Sequence, residues 1–136
     1  MNEALKILES NELIRHIVLF KLYIESQGEA MKQIYGLKKS IKELYGNDFN
    51  DHIYNQNVRY LSVNKGYIGN NASHLTYKGL EYLEGWLKSF EKLTEDETEK
   101  LNKELPQQIF DFFKFTKETT TVLSFVNQML KLAERF

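Results

Sequence analysis

The chain has 136 residues, 42% of them hydrophobic and 13% aromatic, with a formal charge of −1 and no cysteine. This composition excludes intrinsic disorder, the length suits one compact domain plus an appendage, and the near-neutral total excludes coating nucleic acid through bulk charge. Without cysteine there is no disulfide framework, no thiolate metal site and no thiol nucleophile, and a cytoplasmic setting is expected.

The N-terminus, MNEALKILESNELIRHIVLF, places Glu3 where a secretory leader carries cations, and its longest apolar run is IVLF. Neither secretion nor a membrane span is expected. In NELIRHIVLFKLYIESQG, Leu13, Ile14, Ile17, Phe20 and Ile24 recur at helical spacing, and Gly28 is placed to end the helix in a left-handed cap. The next segment, IYGLKKSIKELYG, puts Ile34, Leu37, Ile41 and Leu44 on one stripe and Lys38, Lys39 and Lys42 off it, with Gly46 as the stop. A third helix begins with Asp48 or Asn50 as its cap and runs through about Asn64, where Gly66 ends it. Its expected inward residues are Ile53, Tyr54, Val58 and Leu61. Asn50, His52, Asn55, Gln56 and Arg59 fall outward or at the flanks, a face rich in amide side chains. GNNAS then lies between GYI and SHLT, which predicts two short antiparallel strands joined by a small wing. Thr76 caps the following helix, whose apolar residues are Leu80, Leu83, Trp86, Leu87 and Phe90; Gly79 in its first turn permits close approach of the preceding helix.

Charge is distributed unevenly. Residues 30–78 hold seven lysines or arginines against three acidic residues, +4, whereas residues 80–104 hold four against eight, −4. The basic part coincides with the second and third helices.

The stretch VRYLSVNKGYIGNNASHLTYKGLEYLE, residues 58–84, resembles the ending of many small bacterial and phage winged-helix proteins, including the YjcQ-like group. The shared pattern is apolar-x-x-Leu, Gly-Tyr-Ile, a short wing, Leu-Thr-x-Lys-Gly and apolar-x-x-Leu. The resemblance implies a mainly α fold with a small β-hairpin: a winged helix-turn-helix domain over 1–92, with a recognition helix near 48–64 and a wing near 69–74 touching DNA. Asn and Gln make bidentate hydrogen bonds to adenine and Arg to guanine, so Asn55, Gln56 and Arg59 are competent readers of double-stranded DNA. Lys38, Lys39 and Lys42 would hold phosphates, with Asn50 and the loop residues Asn70 and Asn71 completing the expected surface.

Residues 93–136 read as a C-terminal helical extension. Thr94 and Glu97 form a capping-box pattern, Pro106 interrupts, and an unusually wide apolar stripe follows. Ile109, Phe112, Phe113, Phe125, Val126, Met129 and Leu130 are candidates for a homodimer interface; the other outlet for the stripe is packing on the first helix and on Leu87 and Phe90. The β-branched run TKETTT suggests a bend near Thr119–Thr121.

An enzyme is not expected. His16, His52 and His74 are far apart in sequence without metal-ligand spacing, and no phosphate loop or nucleophile elbow is present, so neither cofactor nor metal is anticipated. Two readings remain. One is a dimeric DNA-binding transcriptional regulator, of prophage or mobile-element origin. The other is a protein-interaction module, for example a phage factor that binds or inhibits a host protein, favoured by a wing without Lys or Arg.

Overall fold

The computed structural model describes residues 2–105, an array of helices around a central one. Helix α1, Ser10–Glu25, buries nine of its sixteen residues, and these lie on more than one face: Leu13, Ile14, His16, Ile17, Val18, Leu19, Phe20, Leu22 and Tyr23. Burial that wide means neighbours on several sides. They are α2, Leu37–Tyr45, α3, Asp51–Arg59, α4, Tyr77–Ser89, and an opening 3₁₀ turn, Glu3–Leu8. Helix α5, Glu95–Glu104, packs on that turn, and Leu101 and Leu105 join the same apolar core.

Local signals account for the element ends. Asn50 caps α3 by accepting from the Ile53 N–H, and Thr76 caps α4 by accepting from the Gly79 N–H. Thr94 and Glu97 complete a reciprocal capping box at α5. Gly28, Gly46 and Gly66 lie at φ 75°, 60° and 68°, where the chain leaves α1, α2 and the third helix. That third helix continues past α3 as a π turn, Tyr60–Asn64, closed by the Lys65 N–H donating to the Tyr60 carbonyl at 3.1 Å.

The expected β-hairpin does not form. Among the described residues there is no strand, only an isolated antiparallel bridge between Ile68 and Leu75, so the winged helix-turn-helix fold is corrected to a helical architecture with an irregular loop. The reason is length. Gly66 is still turning the chain out of the π turn, Thr76 already caps α4, and the intervening loop is closed locally by the Asn71 side chain, which accepts from the Ser73 N–H and hydroxyl. The carbonyls of Ser73 and Leu75 accept from Ile34 and Met31 of the α1–α2 connection. His74 accordingly sits in a loop.

Gly79 does mark a close approach, but its neighbour is the backbone of Tyr67 and not a helix. A Cβ at Gly79 would fall inside contact distance of the Tyr67 carbonyl oxygen, which also accepts from the Thr76 N–H at 3.0 Å.

The residues from Pro106 onward, among them Ile109, Phe112, Phe113, Phe125, Val126, Met129 and Leu130 and the run TKETTT, lie outside the described residues.

Candidate nucleic-acid interface

Helix α3 is held on α1 by a polar latch. Asn57, only 2% exposed, accepts from the Arg15 Nε at 2.7 Å and donates to the Asn11 side chain at 3.1 Å and to the Ile53 carbonyl at 2.9 Å. Arg15 is fixed in turn by Glu12 at 2.6 Å and by stacking on Tyr60, with its guanidinium 3.6 Å from the ring centroid. Every partner in the latch is satisfied, so it sets the rotation of α3 without leaving a buried polar atom unmatched.

This rotation differs from the one expected. Tyr54 and Leu61 point inward, but Asn57 takes the inner position between them and Ile53 is 43% exposed. The sequence offered a signal: Tyr54, Asn57 and Leu61 share one helical stripe, with a polar residue in the middle. Apolarity alone chose Ile53 over Asn57, and the partner that makes a buried Asn tolerable comes from α1, distant in sequence.

The stripe left facing solvent is His52, Asn55, Gln56 and Arg59, all exposed, with Val63 one turn further on. Three of the residues expected to contact DNA are partly committed to structure. The Asn50 side chain is the α3 cap, Asn71 closes its loop, and the Lys38 Nζ pairs with Asp51 at 2.8 Å, tying α2 to the start of α3. That lysine holds the Asp51 carboxyl below its usual range, first through the hydrogen bond and then through its charge, with Lys42 adding a smaller effect. The side chains of Lys39, Lys42, Asn55, Gln56, Arg59 and Asn70 make no hydrogen bond or ion pair among the described residues, and all are exposed. Gln56, Asn50 and Ile53 line a depression of about 330 Å³ against the start of α1 and the 46–50 turn. The structure therefore brings Lys38 and Lys42 to the start of α3, places Lys39 by a depression that Glu25 and Glu43 also line, and leaves Asn70 and Asn71 on a separate loop.

A second polar cluster lies under α4. His16 is 1% exposed; its Nδ1 sits 2.6 Å from the Glu12 carbonyl oxygen and its Nε2 2.8 Å from the Tyr82 hydroxyl. A carbonyl only accepts, so Nδ1 carries the proton, Nε2 is the acceptor, and Tyr82 donates. Burial pushes the His16 pKa below its ordinary value, the Glu12 contacts opposing this less strongly. Burial also pushes the Tyr82 hydroxyl up to about 12, which keeps it a donor. The imidazole packs on Trp86, ring centroids 4.6 Å apart. His52 is exposed and His74 half-buried beside Gln33 and Ser73. Among the described residues no three His, Asp or Glu side chains come together as a metal site, and no helix is long and apolar enough to cross a membrane.

No family model matches the chain, and no curated protein or solved structure matches it.

Proposed function

We propose that the chain binds double-stranded DNA, with the exposed face of α3 reading bases and the lysines of α2 on phosphates, in the role of a transcriptional regulator. The observation that carries the reading is the solvent-facing row His52, Asn55, Gln56 and Arg59, fixed in rotation by the Asn57 latch, with Lys42 of α2 close enough to act on Asp51 at the start of α3. A single helix of this kind fits the major groove, and amide and guanidinium groups are the ones that pair bidentately with adenine and guanine. Few cations per protomer make a small electrostatic footprint; a homodimer doubles it and reads two half-sites.

The test is selection from a random duplex pool at low and moderate salt, followed by titration of the enriched site. Arg59→Ala is expected to cost about 1–3 kcal/mol at that site and to relax its sequence preference, whereas Lys39→Ala should weaken all sequences alike and lower the salt slope by about one. Equal effects of both changes on every sequence would remove base reading from Arg59. Binding that ignores salt, or no binding at low salt, would overturn the proposal.

A second reading, a surface for another protein, is favoured by Ile53 at 43% and Val63 at 66% exposure on the same helix. Such an interface survives high salt, because apolar burial is not screened.

A further inference from the structure

A small polar depression of about 70 Å³ lies where the opening turn, α1, the π turn and α4 meet, lined among others by Lys6, Arg15, His16, Tyr60, Lys65 and Tyr82. A water needs at least about 10–15 Å³, so there is room for several waters or for one compact tetrahedral oxyanion. Tyr67 and Tyr82, stacked with ring centroids 4.6 Å apart, border both this depression and an open aromatic groove of about 520 Å³ beside Gly85 and Trp86.

The π turn gathers cations at the smaller site. In a regular α-helix residues five apart are rotated about 140° from each other, whereas the wider turn closed by the Lys65 N–H on the Tyr60 carbonyl brings these two side chains to one edge. The Lys65 Nζ stands 5.8 Å from the Tyr60 ring centroid, and the Arg15 guanidinium stands 3.6 Å from the same centroid. One ring thus collects two cations that repel each other. From the opening turn, the Lys6 Nζ stands 5.9 Å from the Tyr82 centroid.

Charge and hydrogen-bonding capacity are tilted the same way. Lys6, Arg15 and Lys65 line the depression against one carboxylate, Glu12. Glu12 pairs with Arg15, and Glu3 pairs with Lys6, each at 2.6 Å, which leaves the charge of Lys65 without an ion pair among the described residues. Arg15 gives its Nε to Asn57 and one Nη to Glu12; its other Nη and the hydroxyls of Tyr60 and Tyr67 make no hydrogen bond among the described residues. The one imidazole acceptor, His16 Nε2, is already met by the Tyr82 hydroxyl. Donors are therefore left over and acceptors are not, which suits a ligand that is anionic and only accepts. We propose that this depression binds a phosphate-class oxyanion, held by Lys65, Lys6 and the remaining Nη of Arg15. None of these residues belongs to the α3 row, so the site stands or falls separately from base reading.

The experiment titrates the full-length chain with inorganic phosphate, and separately with chloride, at constant ionic strength, following melting temperature and backbone amide shifts by nuclear magnetic resonance. Phosphate should raise the melting temperature saturably and move the amides of Arg15, Tyr60 and Lys65, while chloride does neither. Lys65→Ala, at an exposed position, should keep the ligand-free melting temperature and weaken phosphate binding about five- to tenfold, and adding Lys6→Ala should remove saturation. Lys32→Ala, an exposed lysine of the α1–α2 connection outside the depression, should leave binding unchanged. Displacement of phosphate by a short duplex would assign the site to a phosphate of a nucleic-acid backbone, and simultaneous binding of both would assign it to the free anion. No saturable effect at millimolar phosphate, equal effects of phosphate and chloride, shifts confined to other segments, or a loss in Lys32→Ala equal to that in Lys65→Ala would each overturn the proposal.

Discussion

Gly79→Ala is expected to destabilise the chain by about 3 kcal/mol, from a change of one methyl group. The methyl would press on the Tyr67 carbonyl oxygen, a backbone atom that cannot rotate away. Relieving the contact means separating the 66–68 segment from the start of α4, which strains the Thr76 N–H bond to Tyr67 and the Thr76 hydroxyl bond to the Gly66 carbonyl, at 3.0 and 2.6 Å. The first term is an overpacking cost of about 1–3 kcal/mol and the second a hydrogen-bond loss of about 1 kcal/mol. Urea unfolding followed by far-ultraviolet circular dichroism measures it. Six residues further along the same helix, Gly85→Ala should do the opposite and stabilise by about 0.5–1 kcal/mol, because helix propensity rises and nothing is touched. A loss below about 1 kcal/mol at Gly79 would mean that the Tyr67 segment yields and that the close approach is not a constraint.

The second large effect is at His16. His16→Ala should cost about 2–4 kcal/mol, since it opens a cavity against Trp86 and leaves the buried Tyr82 hydroxyl without its acceptor. The same residue makes stability depend on pH. Its pKa is depressed in the fold from an ordinary value of 6.5, so the folded chain holds fewer protons there than the unfolded chain. Stability from this group is therefore complete above pH 6.5 and is lost as pH falls below that value towards the folded pKa. The charges facing the ring, Glu12 at 3.7 Å together with Lys6 and Arg15, act in both directions and are smaller than the effect of burial. Carboxylates with lowered pKa values, Glu3, Glu9, Asp51 and Glu97, also weaken the fold in acid, but only below their ordinary values of 3.8 to 4.5. The two windows separate. Melting temperatures between pH 7 and 5 should fall in the native chain and stay nearly level in His16→Ala; parallel curves would assign the titration elsewhere.

Tyr82 links this buried histidine to the aromatic groove, because its hydroxyl donates to His16 while its ring lines the cavity. Tyr82→Phe is expected to keep the groove wall but lose about 1–3 kcal/mol of stability, as His16 Nε2 is left without a donor. Chemical denaturation of this variant beside His16→Ala would show whether the two losses overlap, as they must if one hydrogen bond underlies both.

Much of the helical framework was legible in the sequence, because its determinants are local. Apolar spacing in 13–24, the caps Asn50, Thr76 and Thr94, and the glycines at 28, 46 and 66 act over one turn, and each holds in the structure at its expected place. Turn chemistry at 69–73 was legible too, but not its consequence: GNNAS does turn the chain, yet the flanking residues are taken by the π turn, the α4 cap and the 31–34 connection before strands can extend. The placement of α3's face was decided only by tertiary structure. Burial of Asn57 in place of Ile53 depends on Arg15 and Asn11, 42 and 46 residues away in sequence. So do the burial of a satisfied His16, whose Nε2 is met by the Tyr82 hydroxyl across 66 residues, and the groove beside Gly85, walled in part by Tyr67 and Glu3 from other segments. Periodicity ranks side chains by apolarity, whereas a buried polar group is favourable only when a partner meets it, and that partner is chosen by packing.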